Sequence, residues 1–449
     1  MTRPTPISGF PEFLPAEQLV FDRVLATIRA TYERYGFTSI ETPAVERRDT
    51  LVARGGDDKE IYTLSRLTTG SGSTETELAL HFDLSVPLAR YVAQHADGLV
   101  FPFQRAQIQK VWRGERPQAG RFREFYQADL DVVGRGRLGL TYDALLPAVI
   151  SDTLSAIGVG PFCIRLNHRQ LLQGWATGAG LPAALVPAAL RVLDKLEKIG
   201  IDAVRTQLTS TCGLNPARVT TFLELATASR PGTQVLDDLA AGALPLNAAL
   251  EQGIQELQDV TATMQALGVP DTHYRLDLSV ARGLGYYTGT VYETGLQAFP
   301  TLGSICSGGR YENLAEAFGP ERFPGVGMSI GVSRFVPALM AAGVLAPAAA
   351  TCAPVLVTTL RQTLRAETFR LGAELRQAGI NTEMYLESDR LGQQLRYAAR
   401  KGFVLVAIVG EDELAAGVVR VRHLATGTEQ VWPRDTWTAD VRRWLAEPA

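Results

Sequence analysis

The chain has 449 residues, is 46% hydrophobic and 20% charged, and carries a formal net charge of -3 with a pI near 6.1. That length exceeds one ordinary hydrophobic core, so two or three domains are expected. The near-neutral balance excludes nucleic-acid binding through global positive charge, so any such surface must be a local patch.

The N-terminal MTRPTPISGF is polar and proline-rich, with no apolar signal core, and no run reaches the length of a membrane span. A cytoplasmic location is expected. Apolar residues at Leu19, Val20, Val24, Leu25, Ile28 and Tyr32 recur with helical spacing from Glu17 to Tyr35, and Gly36 ends that helix. FTSIETPAVERRD reads as a strand broken at Pro43, because proline cannot donate to a sheet ladder. Leu78 to Phe82 is a short strand, and Asp83 or Ser85 is placed to cap the helix that follows.

Val111 to Gly134 reads as a strand, a charged loop and a second strand. Arg113, Arg116, Arg121 and Arg123 fall within eleven residues, beside Glu115 and Glu124. Arginine offers a planar, permanently charged fork of donors, which suits a polyphosphate or a nucleic-acid backbone. A solvated hairpin tip is the bland alternative, but Phe122, Phe125 and Tyr126 interleave with the cations. On the return strand, alternation puts Gln127, Asp129 and Asp131 on one face.

Tyr142 to Ile157 is helical, and FCIRLNHRQLLQGW is a strand running into a helix with Asn167 at its cap. From about 183 to 266 the chain becomes alanine- and leucine-rich, a helical insertion that lends area rather than chemistry. Strands return at Tyr274, in ARGLGYYTGTVYE (281–293), SICSGGRYENL and GVGMSIGVSR (325–334). After an alanine-rich linker, residues 352–449 alternate strands and short helices, implying a small α/β domain with a mainly parallel sheet. Cys163, Cys212, Cys306 and Cys352 are scattered without CxxC spacing, so neither a zinc site nor a disulfide scaffold is indicated.

Taken together, the arginine hairpin and the two glycine-rich strands suggest a nucleotide site on an antiparallel sheet, with no P-loop or GxGxxG turn present. Arg113 would meet an α-phosphate, Arg334 a terminal phosphate, and Phe125 a base. Asp83, Gln127 and Asp131 suit a small zwitterion bearing a polar ring.

RGERPQAGRFREFYQ resembles motif 2 of the class II aminoacyl-tRNA synthetases, specifically of the histidyl family. ARGLGYYT resembles that family's ARGLDYYT signature, SGGRYENL its GGRYDGL, GVGMSIGVSR motif 3, and ETP at 41–43 the end of the dimer motif. LRQAGINTEM, LGQQLRYAARKG and IVGEDELAAGVVRVRHLATGTEQV resemble its anticodon-binding domain. The resemblance implies an α+β catalytic domain over 1–345, an antiparallel sheet flanked by helices with the 183–266 insertion, and an α/β anticodon-binding domain over 352–449. It implies ATP with magnesium, L-histidine and histidine tRNA as ligands, and a homodimer.

Carried over residue by residue, Arg113 and Arg282 are the catalytic arginines at the α-phosphate and carboxylate. Glu115 and Phe125 take the adenine, and Arg121 and Arg334 the distal phosphates. Asp83, Leu84, Ser85 and Gln127 surround the α-amino group, while Asp131, Tyr286 and Tyr287 read the imidazole. Arg116 and Gln118 match positions that read the tRNA acceptor end. No metal-ligating residues are assigned. Gly285 replaces the signature aspartate, Ser333 the motif 3 glutamate, Glu312 an aspartate and Ser85 a threonine. Two readings follow: a histidine-activating, tRNA-charging ligase, or a non-catalytic histidine-binding paralogue resembling the regulatory subunit of ATP phosphoribosyltransferase.

Overall fold

The computed structural model describes residues 4–53, 60–65, 77–117, 120–227, 232–281, 286–387 and 389–447. The chain divides into two units, Met1–Pro11 with Val24–Leu345 and Glu12–Arg23 with Ala346–Ala449.

The helical spacing at the N-terminus becomes α1 (Pro15–Arg34), and Gly36 follows at φ 79°. The strand interrupted by Pro43 is two strands, β1 (Thr38–Ser39) and β2 (Val45–Arg47), which join different sheets. After α2 (Arg48–Val52) come β3 (Thr63–Leu64) and β4 (Leu78–Leu80), which complete a three-stranded sheet in the order β2-β4-β3. Asp83 Oδ1 accepts the Val86 N–H at 3.1 Å and so caps α3 (Ser85–His95).

The arginine hairpin is β5 (Phe103–Trp112) and β6 (Glu124–Val133), each 10 residues long. Next come α4 (Thr141–Ile157), β7 (Phe162–His168) and α5 (Arg169–Gly178). The cap of α5 is His168, whose Nδ1 accepts the Gln170 N–H at 3.2 Å, and not Asn167 as expected. Asn167 is buried instead, and its amide donates to the Leu278 and Val280 carbonyls. Strand alternation turns Asn167 inward, away from the helix start.

The alanine-rich stretch holds α6 (Val186–Leu193), α7 (Leu196–Ile199), α8 (Ile201–Ser210), α9 (Pro216–Thr227), α10 (Gly232–Ala240) and α11 (Ala248–Ala266), with α11 packed on α5 and α4. Then β8 (Tyr274–Leu276), β9 (Thr290–Leu296), β10 (Ser304–Tyr311) and β11 (Gly325–Gly331) complete an eight-stranded sheet, and α12 (Val332–Ala341) follows. The strand order is β1-β5-β6-β11-β10-β9-β7-β8, antiparallel except at the outer pairs β1/β5 and β7/β8.

One face of this sheet is apolar. Ala106, Leu130, Met328 and Tyr292 lie on it, and the Tyr292 hydroxyl donates to the Asp143 carbonyl of α4. The Tyr32 hydroxyl of α1 donates to the Ala128 carbonyl on β6. Deeply buried in this layer, Arg310 Nη2 meets Asp143 Oδ2 at 2.6 Å and the Gly139 carbonyl at 2.9 Å.

The second unit holds β12 (Val355–Val357), α13 (Arg365–Gln377), β13 (Thr382–Met384), α14 (Leu391–Lys401), β14 (Leu405–Ile408), α15 (Glu411–Ala416), β15 (Val418–His423), β16 (Glu429–Pro433) and α16 (Trp437–Ala446). The expected mainly parallel sheet is mixed. Its order is β13-β12-β14-β15-β16, with β12 parallel to β13 and β14, but β15 antiparallel to β14 and β16. A tight turn through Gly427 returns β16 directly beside β15, so no crossover helix is needed. Alternation in β12 sends Val355 and Val357 to one core with Trp437, and Leu356 to the other with Phe403.

The Arg310–Asp143 pair gives a stability prediction. Removing one partner leaves a buried uncompensated charge, costing ~3–5 kcal/mol. Asp143→Ala is expected to lower stability by about that amount in equilibrium denaturation of the full chain. A loss under about 1 kcal/mol would show that the pair is not the anchor of α4 on β10.

Candidate functional site

The polar face of the large sheet carries the site, and the hairpin register builds it. Arg105 pairs with Asp131, Gln107 with Asp129 and Gln109 with Gln127 across β5 and β6. On the other side of β6, Gly327 lies beside Asp131, Ser329 beside Asp129 and Gly331 beside Gln127. Partners directly opposite share a face, so these residues form one polar surface.

At the loop end of β6 the surface is cationic. A cleft of about 330 Å³ is lined by Arg113, Glu115, Arg121, Phe125, Gln127 and Arg334, among others. Arg113 donates through Nε to the Phe82 carbonyl at 3.0 Å, and its guanidinium carbon lies 5.1 Å from the Phe125 ring centre. Glu115 sits between two cations, 3.8 Å from Arg113 Nη1 and 3.6 Å from Arg121 Nη1. From the opposite wall Arg334 donates to the Ser304 carbonyl at 2.8 Å. Three guanidinium groups against one carboxylate suit an anion with several phosphates. Arg116 is exposed on the loop. Gln118 lies outside the described residues.

Deeper along β6 the surface becomes acidic. Arg105 is fully buried, and its Nη2 meets Asp131 Oδ2 at 2.8 Å and Asp129 Oδ2 at 3.8 Å. The Tyr311 hydroxyl donates to Asp131 Oδ1 at 2.9 Å. Burial pushes Asp131 up to about 6 and Asp129 up to about 7, with Arg105 opposing both shifts. Asp83 lies close enough to raise each further. Gln127 Nε2 donates to Ser329 Oγ at 2.9 Å.

Glycines on β10 and β11 make room for this arrangement. A Cβ at Gly327 would fall 2.0 Å from Asp131 Oδ1, and one at Gly309 would fall 2.8 Å from the Tyr287 ring. Tyr287 therefore packs close against the strand, with Tyr286 edge-on at 5.1 Å and Tyr286 in turn 5.3 Å from Tyr311. Burial raises the Tyr287 and Tyr311 hydroxyls well above their ordinary range, so both remain donors at neutral pH.

The structure thus brings Arg113, Glu115, Arg121, Phe125 and Arg334 together in one cleft, with Gln127 at its inner edge. Asp131, Tyr286 and Tyr287 lie around Tyr311. Asp83 and Ser85 stand at the start of α3, where the carbonyl of buried Leu84 is 3.5 Å from Arg105 Nη2. Arg282 and Gly285 lie outside the described residues. Ser333 is buried, and its Oγ accepts the Tyr126 N–H at 2.9 Å, tying α12 to β6. The other substituted position, Glu312, pairs with Arg322 at the surface.

Sequence reasoning missed Arg105 and Tyr311. Counting back from the hairpin loop pairs position 105 with 131, a signal for Arg105 that was available. Nothing local marks Tyr311, which reaches Asp131 only because β11 lies between β10 and β6.

The model of the family described as Histidyl-tRNA synthetase matches residues 9–335, and that of the Anticodon binding domain matches residues 354–443. A histidine–tRNA ligase of Thermobifida fusca (strain YX) is 44% identical over 430 residues, covering 96% of each chain. One from Xanthomonas campestris pv. campestris (strain 8004) is 43% identical over 442 residues, covering 94% of this chain and 93% of its own. The crystal structure of histidyl-tRNA synthetase from Nostoc sp. PCC 7120 superposes with a TM-score of 0.91 at 39% identity, over 99% of this chain and 100% of that one. The chain belongs to the histidyl-tRNA synthetase family.

Proposed function

We propose that the protein activates L-histidine with ATP and transfers the histidyl group to the 3′ end of histidine tRNA. The observation that carries this reading is β6 itself, which leads from an arginine-lined cleft at Phe125 to a carboxylate-lined pocket at Asp131. A triphosphate and a zwitterion laid along one strand meet where phosphate and carboxylate must react. The regulatory-paralogue reading is disfavoured by relatives named as ligases that match nearly the whole chain.

In the first step a histidine carboxylate oxygen bonds to the α-phosphorus of ATP. The bond from that phosphorus to the bridging oxygen breaks, and its electron pair leaves with pyrophosphate. A terminal ribose hydroxyl then attacks the acyl carbon, loses its proton, and AMP departs. Both steps concentrate negative charge on phosphate oxygens, so fixed cations rather than a protein nucleophile provide the catalysis.

Arg113 and Arg282 meet the α-phosphate and the carboxylate. Arg121 and Arg334 hold the distal phosphates, while Glu115 and Phe125 take the adenine. Asp83, the Leu84 backbone, Ser85 and Gln127 surround the amino group, and Asp131 with Tyr286 and Tyr287 reads the imidazole. Arg116 and Gln118 approach the tRNA acceptor end.

Magnesium fits as a companion of the triphosphate. It takes oxygen ligands and usually binds through phosphates, and among the described residues no cluster of three His, Cys, Asp or Glu would hold it alone. It supplies charge neutralisation when ATP binds. The surroundings are those of the cytoplasm, and no described helix is long and apolar enough to cross a membrane. A homodimer completes the reading, supported by Val45, Leu64 and Leu78 exposed on the small sheet.

Three outcomes test this. Histidine-dependent ATP–pyrophosphate exchange is expected, with Arg113→Ala and Arg282→Ala each lowering kcat on the order of 10²–10³-fold; histidine binding without exchange in the unaltered chain would favour the sensor. Gly327→Ala displaces Asp131 and is expected to raise the KM for histidine about tenfold, one hydrogen bond's worth, with the KM for ATP little changed. Light scattering at micromolar concentration is expected to give a dimer mass, and a monomer would contradict the proposed assembly.

A further inference from the structure

We propose that Asp129 is a binding carboxylate of the amino-acid pocket and takes the ammonium group of histidine together with Gln127. This deepens the histidine reading above and rests on it.

Asp129 sits in the middle of the polar row, between Gln107 on β5 and Ser329 on β11, and is only 4% exposed. Its Oδ2 faces Arg105 at 3.8 Å, beyond hydrogen-bond reach, the Ser329 hydroxyl is the side-chain donor that helps keep the carboxyl ionised, and Oδ1 has no hydrogen-bond partner. Two residues earlier, Gln127 turns its amide nitrogen to Ser329 and leaves Oε1 buried without a donor. Asp131 differs, because Tyr311 engages one oxygen and Arg105 the other. The same strand face therefore carries two neighbouring buried acceptors that lack donors.

Leaving such acceptors unmade is unfavourable, so their persistence points to a ligand. The ligand must bring donors to both. An ammonium has three donors and no acceptor, whereas a neutral imidazole brings one of each. Asp83 already spends one oxygen on the cap of α3, which leaves room for a second carboxylate at the amino group.

The electrostatics agree in sign. Asp129 is raised to about 7 by burial, with Asp131 and Asp83 adding to the shift and Arg105 and Ser329 opposing it. Tyr287, Tyr32 and Cys306 are the other titratable groups that feel it. A bound ammonium favours the ionised carboxylate. Affinity is therefore fully present above about pH 7 and falls as the pH drops through that value.

The test uses the full-length chain and two inhibitors of histidine-dependent exchange. L-Histidinol keeps the ammonium and the imidazole, while 4-(3-hydroxypropyl)imidazole is the same molecule without the ammonium. Their ratio of inhibition constants reports the ammonium contact. Asp129→Asn is expected to shrink that ratio on the order of tenfold, the worth of a charge-assisted bond, and to raise the KM for histidine with kcat little changed. An unchanged ratio, or equal losses for both ligands, would overturn the assignment and leave Asp129 as a support for Arg105.

Should the variant fold poorly, calorimetry of the unaltered chain near pH 6.5 in buffers of different ionisation enthalpy decides the matter. Once the ionisation of each free ligand's imidazole is measured and subtracted, histidinol is expected to release a proton that 4-(3-hydroxypropyl)imidazole does not, and equal corrected release would overturn the proposal. An unaltered chain that binds histidinol and discriminates by the ammonium, yet performs no exchange, would sink the ligase reading and leave Asp129 in place.

Discussion

The site depends on one buried cation. Arg105 has no exposed surface and holds Asp131 at 2.8 Å while facing Asp129 at 3.8 Å. Two carboxylates in a dry sheet face would otherwise repel and protonate. The guanidinium opposes the upward shift of both, and of the two carboxylates Asp131 alone is in hydrogen-bond contact with it. A charged wall next to a cleft of arginines is thereby maintained inside a single sheet.

The same constraint explains the composition of the neighbouring strands. Asp131, Tyr311 and Tyr287 fill the space above β10 and β11, and a side chain at Gly327 or Gly309 would collide with them. Glycine in a strand interior ordinarily weakens it. Here the loss of side-chain packing is offset by rings and carboxylates laid over the bare backbone. Ser333 belongs to this framework, since its hydroxyl fixes β6 to α12 beside the arginine-lined cleft.

The hairpin thus orders two opposite chemistries along one strand. Its loop end is crowded with guanidinium groups around Glu115, and its inner end is acidic. Cations and carboxylates are thereby kept at opposite ends of β6, on either side of Gln127.

Much of this was written in local sequence. Helical spacing gave α1 and α4, alternation put Gln127, Asp129 and Asp131 on one face, and the interleaved arginines and aromatics marked the cleft, because these signals depend only on residues close in the chain. The hairpin register was legible too, although Arg105 went unread. Other features had no local signature. Asn167 turned inward and His168 became the cap, since burial against residues 278–280 outweighed capping propensity. The C-terminal sheet became mixed through a late hairpin. Tyr311 met Asp131 only because the strand order places β11 between β10 and β6. Sequence determined the chemical inventory and its faces. Tertiary structure alone decided which buried groups meet, because that depends on strands far apart in the chain lying a few ångströms apart across the sheet.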